Sequence, residues 1–302
     1  MPNWNDVLRE ISLPLVQAQQ SLDLVRRKYL DLLHKHTGRN VIAYYSGFLS
    51  KPGISGLDIN DEDKNGFMMA VHKLDRKKGL DLILHTPGGS ISSTQSIVTY
   101  LQRMFDQDIR AIVPQIAMSA GTMIACSCRE ILLAKHSNLG PIDPHLRNIP
   151  AYGVIKEFQR ACREVKKDPS RTPIWQTIIG QYRPTFLSQC QNAINWSNAF
   201  VTDQLERVML KGDTHAKAKA RSIVKKLTDY TGNKTHERHI DIEECKTIGL
   251  KIVQIEDDQI LQDLILTVHH CFMHGLMNTP SYKFIENHLG VAFVKQQVSN
   301  PQ

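Results

Sequence analysis

Between residues 17 and 36, Leu22, Val25, Tyr29, Leu32 and Leu33 recur at helical spacing among polar neighbours, and Gly38 closes the run. A stripe of that period predicts an amphipathic helix, packed on the body of the protein or set against a second copy. The next hundred residues alternate two patterns. Short apolar runs at 41–45, 80–84, 109–113 and 131–134 have the length of strands. Between them Phe67, Val71 and Leu74, then Ile97, Val98, Leu101, Met104 and Phe105, then the residues after Ser119, follow helical spacing. Strand and helix in alternation predict an α/β fold with parallel strands joined by right-handed crossovers. Ligands in such sheets bind where strands end and helices begin.

After Pro150 the pattern changes. Residues 151–230 read as helix, with Trp196, Val201, Leu205 and Met209 among the apolar positions, and no strand is evident before 251–255. A last helix carries Ile260, Leu264 and Val268. The chain therefore divides into an N-terminal helical segment (1–38), an α/β core (39–150), a helical arm (151–230) and a segment that completes the core and ends in a helix (231–298). The tail beyond it is expected to be loose.

Composition narrows the class without changing this picture. The 302 residues are 41% hydrophobic and 22% charged, as in ordinary globular proteins. The formal charge is +7, but lysine and arginine are scattered and the densest cluster is Arg76, Lys77 and Lys78, so no nucleic-acid partner is expected. The six cysteines show no CxxC spacing, which suits reduced thiols and offers no zinc site. No basic start precedes an apolar run, and no stretch approaches the roughly 18 apolar residues of a membrane span. The expectation is a cytoplasmic protein that needs no metal or other cofactor.

Two turns carry the chemistry, each between a predicted strand and a predicted helix. In His85-Thr86-Pro87-Gly88-Gly89-Ser90, paired glycines allow positive φ and a close approach of backbone N–H groups to a ligand. A plain structural turn uses the same residues. In Ala117-Met118-Ser119-Ala120-Gly121-Thr122, a serine among small residues is placed like the nucleophile of a strand–turn–helix elbow, or else it caps the helix. Together the turns are more specific than either alone. Acyl transfer needs a nucleophile and two N–H donors facing the developing oxyanion, and the amides of Gly89 and Ala120 supply them.

With Gly89 and Ser119 30 residues apart, the chain resembles the Clp-protease and crotonase superfamily, which sets a PGG turn and a small-residue serine turn on neighbouring strands. HTPGG, AMSAGT, His136-Ser137, Gly140-Pro141-Ile142-Asp143-Pro144, Thr235-His236-Glu237 and CQNAINWSN at 190–198 resemble the serine dehydrogenase proteinase family more closely. The resemblance runs from about Gly38 to about Val253. It implies a repeated β-β-α core with parallel strands, a serine peptidase acting on proteins or peptides, and a homo-oligomer. Members of that family often carry an N-terminal membrane anchor, and none is expected here.

The base is the open question. Clp proteases use Ser, His and Asp, and the related signal peptide peptidase A enzymes use Ser and Lys. Set along this chain without gaps, the Clp histidine falls on Ile142 beside Asp143, and the Clp aspartate on Glu237 beside His236. Neither residue type matches. An exchange of roles makes His236 the base and Asp143 the group that orients it, since a triad is defined by geometry. Glu237 is the alternative orienter, and Lys166 or Lys167 the base of an alternative dyad, although both lie in the charged stretch 163–168. His85 and His136 read as structural, Cys126 and Cys128 as buried thiols, and Trp175 and Trp196 as packing residues. His270 and His274 have metal-ligand spacing but no acidic third ligand. Two other readings stay open: a catalytically silent scaffold or regulator of the same fold, and a crotonase-type acyl-CoA enzyme, for which the hydroxyl of Ser119 would have no use.

Overall fold

The computed structural model describes residues 4–12, 18–146, 149–229 and 235–297. The expected loose tail lies outside them. At the centre is a seven-stranded sheet. Five of its strands run parallel, in the order β1 (Asn40–Ser46), β2 (Leu80–His85), β3 (Ile109–Val113), β5 (Glu130–Leu133) and β9 (Ile252–Gln254). Successive side chains alternate between two cores. Ile42, Tyr44, Leu82 and Val113 meet Phe67 of α3 (Asp63–Val71) and Ile97, Leu101 and Phe105 of α4 (Ile91–Phe105). Val41, Tyr45, Ile83, Ile112 and Leu132 meet α2 (Ala18–Thr37) and the helix Gln259–Asn278 on the other face. Burial on both faces is why these strands read as apolar runs, interrupted within them only by Asp81 and Arg110, which pair with each other. Each large apolar side chain so buried contributes about 1.5–3 kcal/mol.

The stripe on α2 is used for packing. Leu22, Val25, Tyr29 and Leu33 are buried, and only Leu32 of the five is exposed. Ahead of it, α1 (Trp4–Ile11) sets Trp4 against His274, ring centroids 3.9 Å apart, and His270, 5.5 Å. The histidine pair with metal-ligand spacing thus seats a helix.

An antiparallel hairpin that the hydrophobic pattern does not announce completes the sheet: β10 (Ser281–Asn287) beside β1, then β11 (Ala292–Gln296). Its strand carries buried charges. Lys283 Nζ lies 3.0 Å from both carboxylate oxygens of Asp63, and Glu286 accepts from Arg26 and from Arg27 Nε at 3.0 Å. Each charge is paired, which is the condition for burying it.

A smaller layer of short pairings lies where the parallel strands end. β4 (Ile116–Ala117) pairs with β6 (Asn138–Leu139), β7 (His145–Leu146) pairs with β8 (Ile149–Pro150), and single bridges join Ile59 to Gly89, Thr86 to Ala117 and Leu139 to Ile240. Long strand, short strand, helix is the repeating unit, a ClpP-like α/β arrangement. The arm consists of α6 (Ala151–Lys167), α7 (Thr172–Ile179), α8 (Phe186–Gln204) and α9 (Ala216–Leu227). All six cysteines are unpaired, and burial pushes the thiols of Cys126 and Cys128 up. Among the described residues no helix is long and apolar enough to cross a membrane.

Candidate active site

Ser119 stands between β4 and α5 (Ala120–Cys126) with φ +50° and ψ −113°, a conformation a residue with a side chain rarely adopts. Neighbouring contacts impose it. Met118 N–H donates to Thr86 O at 3.0 Å, Gly121 N–H to Met118 O at 2.7 Å, and Thr122 Oγ1 to Ala117 O at 2.8 Å. The Ser119 hydroxyl makes no capping hydrogen bond, so the residue has the geometry of an elbow and not the bonding of an N-cap.

The glycine turn lies directly against it. Gly88 has φ +102° and Gly89 +153°. A Cβ on Gly88 would come within 2.7 Å of Ser119 Cβ and 3.0 Å of Ala120 N; one on Gly89 would come within 2.3 Å of Ile59 N. Only glycine allows both approaches. Gly88 N–H donates to Thr86 Oγ1 at 3.2 Å, whereas among the described residues no acceptor takes the N–H of Gly89 or of Ala120. Gly88 therefore provides space, and each turn keeps one N–H donor without an acceptor among the described residues.

Asp143 and His236, 93 residues apart, meet beside this pair of turns. Gly140 N–H donates to Thr122 Oγ1 at 3.0 Å, Ile142 N–H to Leu227 O at 3.1 Å, and Ser197 Oγ to Ile142 O at 3.1 Å, which fixes the loop carrying Asp143. Leu139 and Ile240 exchange backbone hydrogen bonds of 3.0 and 2.9 Å and draw the segment after 234 against that loop. His236 Nδ1 then lies 2.8 Å from Asp143 Oδ1. The other oxygen, Oδ2, lies 3.3 Å from His145 Nε2, and the two imidazole centroids are 4.0 Å apart. Burial alone would push the Asp143 carboxyl up, but the hydrogen bonds from His145 and His236 and their electrostatic attraction outweigh it and hold it well below the usual carboxylate range. Among the described residues these three side chains are the group whose metal-ligating atoms converge, all within 4.8 Å.

Ser119, His236, His145, Gly88 and Gly89 line one cleft of about 560 Å³. Met123, Ile142, Leu146 and Trp196 give it an apolar side. Trp196 is 45% exposed and donates through Nε1 to Gln95 Oε1 at 2.7 Å, so it is a wall of the cleft and not the packing residue its helical position suggests. Trp175 is buried as expected. Lys166 and Lys167 end α6 on an exposed face, and Glu237 is exposed; none of the three lines the cleft. His85 is fully buried beside Tyr45, Phe48 and His269, and His136 is exposed after β5.

His145 is the site residue that sequence reasoning misses. The available signal was its place in Asp143-Pro144-His145, where a second imidazole shares a turn with the buried acid.

A family model described as ClpP-like SDH-type serine proteinase matches residues 8–288. An uncharacterized protein of Methanocaldococcus jannaschii is 31% identical over 246 residues, which cover 80% of this chain and 78% of that one. A second uncharacterized protein of the same archaeon is 27% identical over 194 residues, 64% of this chain and 59% of its own.

Proposed function

The chain belongs to the ClpP-like SDH-type serine proteinases, and on that premise we propose that it cleaves protein or peptide substrates through an acyl-enzyme on Ser119. The observation that carries the reading is the strained Ser119 turn, set against Gly88 in a cleft lined also by His236, whose ring is held by Asp143.

Serine is a weak nucleophile until a base takes its proton. His236 is the base in this reading. With its Nδ1–H donated to Asp143, the lone pair of a neutral imidazole is on Nε2, available to the Ser119 proton as Oγ attacks the substrate carbonyl. The carbonyl oxygen becomes an oxyanion, which the N–H groups of Gly89 and Ala120 stabilise. Collapse breaks the C–N bond, and the imidazolium returns its proton to the leaving amine. Water then repeats the sequence on the acyl-enzyme, and Ser119 is regenerated. Asp143 is a positioning residue throughout: it fixes the tautomer and favours the imidazolium that forms.

The amides of Gly89 and Ala120, without acceptors among the described residues, and a serine whose hydroxyl makes no capping hydrogen bond favour hydrolysis over a silent scaffold. The serine has no part in a crotonase-type reaction, which weighs against the acyl-CoA alternative. Hydrolysis of a fluorogenic peptide or an unfolded protein should fall by about 10⁴-fold or more in Ser119→Ala, with an unchanged circular dichroism spectrum. A folded Ser119→Ala protein that keeps its activity would refute the proposal.

A further inference from the structure

The acid–base sequence above uses one imidazole, yet Asp143 holds two. We infer that Asp143, His145 and His236 form a binding site for a divalent transition metal, zinc being the best match, and that filling it switches the peptidase off. The binding half stands on geometry alone; the switching half rests on the reading of His236 as the base.

The donor set selects the metal. Two imidazole nitrogens and one carboxylate suit zinc, cobalt(II), nickel(II) or iron(II), whereas calcium and magnesium prefer oxygen alone. The spacing fits as well. Zinc holds nitrogen and oxygen at about 2.0–2.2 Å, which sets neighbouring ligand atoms of a tetrahedron roughly 3.3–3.5 Å apart. The two imidazoles touch different oxygens of Asp143, at 3.3 Å from His145 Nε2 to Oδ2 and 2.8 Å from His236 Nδ1 to Oδ1, and one ligand atom from each residue lies within 4.8 Å of the others, so rotation of the rings closes the set onto one ion. The carboxylate is already fixed, because its loop is tied to Thr122, Leu227 and Ser197. Three protein ligands leave a coordination position open, and His145 and His236 both face the cleft.

Occupation changes the base by moving one proton. In the metal-free site Asp143 takes the Nδ1–H of His236 and leaves Nε2 with its lone pair. A metal bound at Nδ1 needs the lone pair there, so the single proton of the neutral ring moves to Nε2. An Nε2–H cannot accept the proton of Ser119. His145, whose Nε2 donates to Asp143 Oδ2 in the metal-free site, likewise shifts its single proton to Nδ1 and coordinates through Nε2. No proton is gained or lost, and the nucleophile is left without its base.

The test is zinc titration of the full chain by calorimetry, with cobalt(II) as a spectroscopic probe and peptide hydrolysis followed in parallel. Expected are one zinc per chain, visible-region cobalt(II) bands that zinc abolishes, and hydrolysis that falls in step with occupancy and returns with EDTA. His145→Ala, Asp143→Asn and His236→Ala should each weaken zinc by about tenfold or more. His145→Phe, which keeps the ring contact with His236, should do the same if the nitrogen is the ligand. Folding of each variant is checked by circular dichroism. Absence of zinc binding, or unchanged affinity in His145→Phe, overturns the site. Zinc-loaded protein as active as the metal-free form overturns the switch. A protein that binds zinc at these residues but hydrolyses nothing with or without metal also overturns the switch and places the failure in the peptidase reading, with the site intact.

Discussion

At the scale of single residues, the division of labour between Asp143 and His236 gives the sharpest prediction. His236→Ala should reduce turnover about as much as Ser119→Ala does, because a triad acts as a unit. Asp143→Asn should cost about 10²- to 10⁴-fold, since the tautomer is no longer fixed. Lys166→Ala and Lys167→Ala, on the exposed end of α6, should leave turnover near normal. Activity lost in either lysine variant and kept in His236→Ala would replace the triad with a Ser/Lys dyad. A second prediction concerns His85, whose ring nitrogens are both buried without a hydrogen-bond partner among the described residues. Burial lowers its pKa to about 3. Unfolded, the ring is protonated below about pH 6.5. Between pH 6.5 and 3 the unfolded chain therefore binds more protons, and stability falls as pH falls through that window. The slope from this one residue is up to about 1.4 kcal/mol per pH unit. Urea unfolding at several pH values should show a shallower slope in His85→Phe; an unchanged slope would show that the ring is already protonated in the folded protein.

At the scale of elements, the site depends on two turns pressed together at the ends of β2 and β4. Gly89→Ala must open the Ile59–Gly89 pairing to make room for a methyl, so it should destabilise the fold by about 1–3 kcal/mol and abolish turnover even where it folds. Thermal unfolding and hydrolysis measured side by side check this, and a stable, active Gly89→Ala protein would remove the glycine turn from the oxyanion site. These turns were readable because each one's requirement is local: paired glycines after one strand, a serine among small residues after the next. The parallel strands were equally plain, since burial on both faces leaves apolar runs whose only interruptions, Asp81 and Arg110, pair with each other across β2 and β3. The hairpin β10–β11 was hidden for the opposite reason. Lys283, Glu286 and Asn287 look like solvent-facing residues, and their partners Asp63 and Arg26 lie far away in the chain, so nothing nearby signals that they are buried.

At the scale of the whole molecule, sequence motifs suggested that Asp143 and His236 share a site but could not establish it. The Leu139–Ile240 pairing brings them together, and that is a property of the folded sheet edge. For the same reason His145 escaped notice and Trp196 read as a packing residue, because lining a cleft is a relation between distant segments that no local pattern records. Since ClpP-like cores bury faces of one subunit against another, the chain should self-associate. Light scattering at micromolar concentration should give a mass that is a multiple of 34.3 kDa, and a lone 34.3 kDa species would contradict this expectation. Assembly and chemistry are separable, however, and the central claim concerns the serine. The most direct measurement is to treat the folded protein with a fluorophosphonate probe and locate the adduct by peptide mass mapping. A single adduct on Ser119, absent from Ser119→Ala, is the predicted result; an adduct on another residue, or none on well-folded protein, would contradict the assignment of Ser119 as the nucleophile.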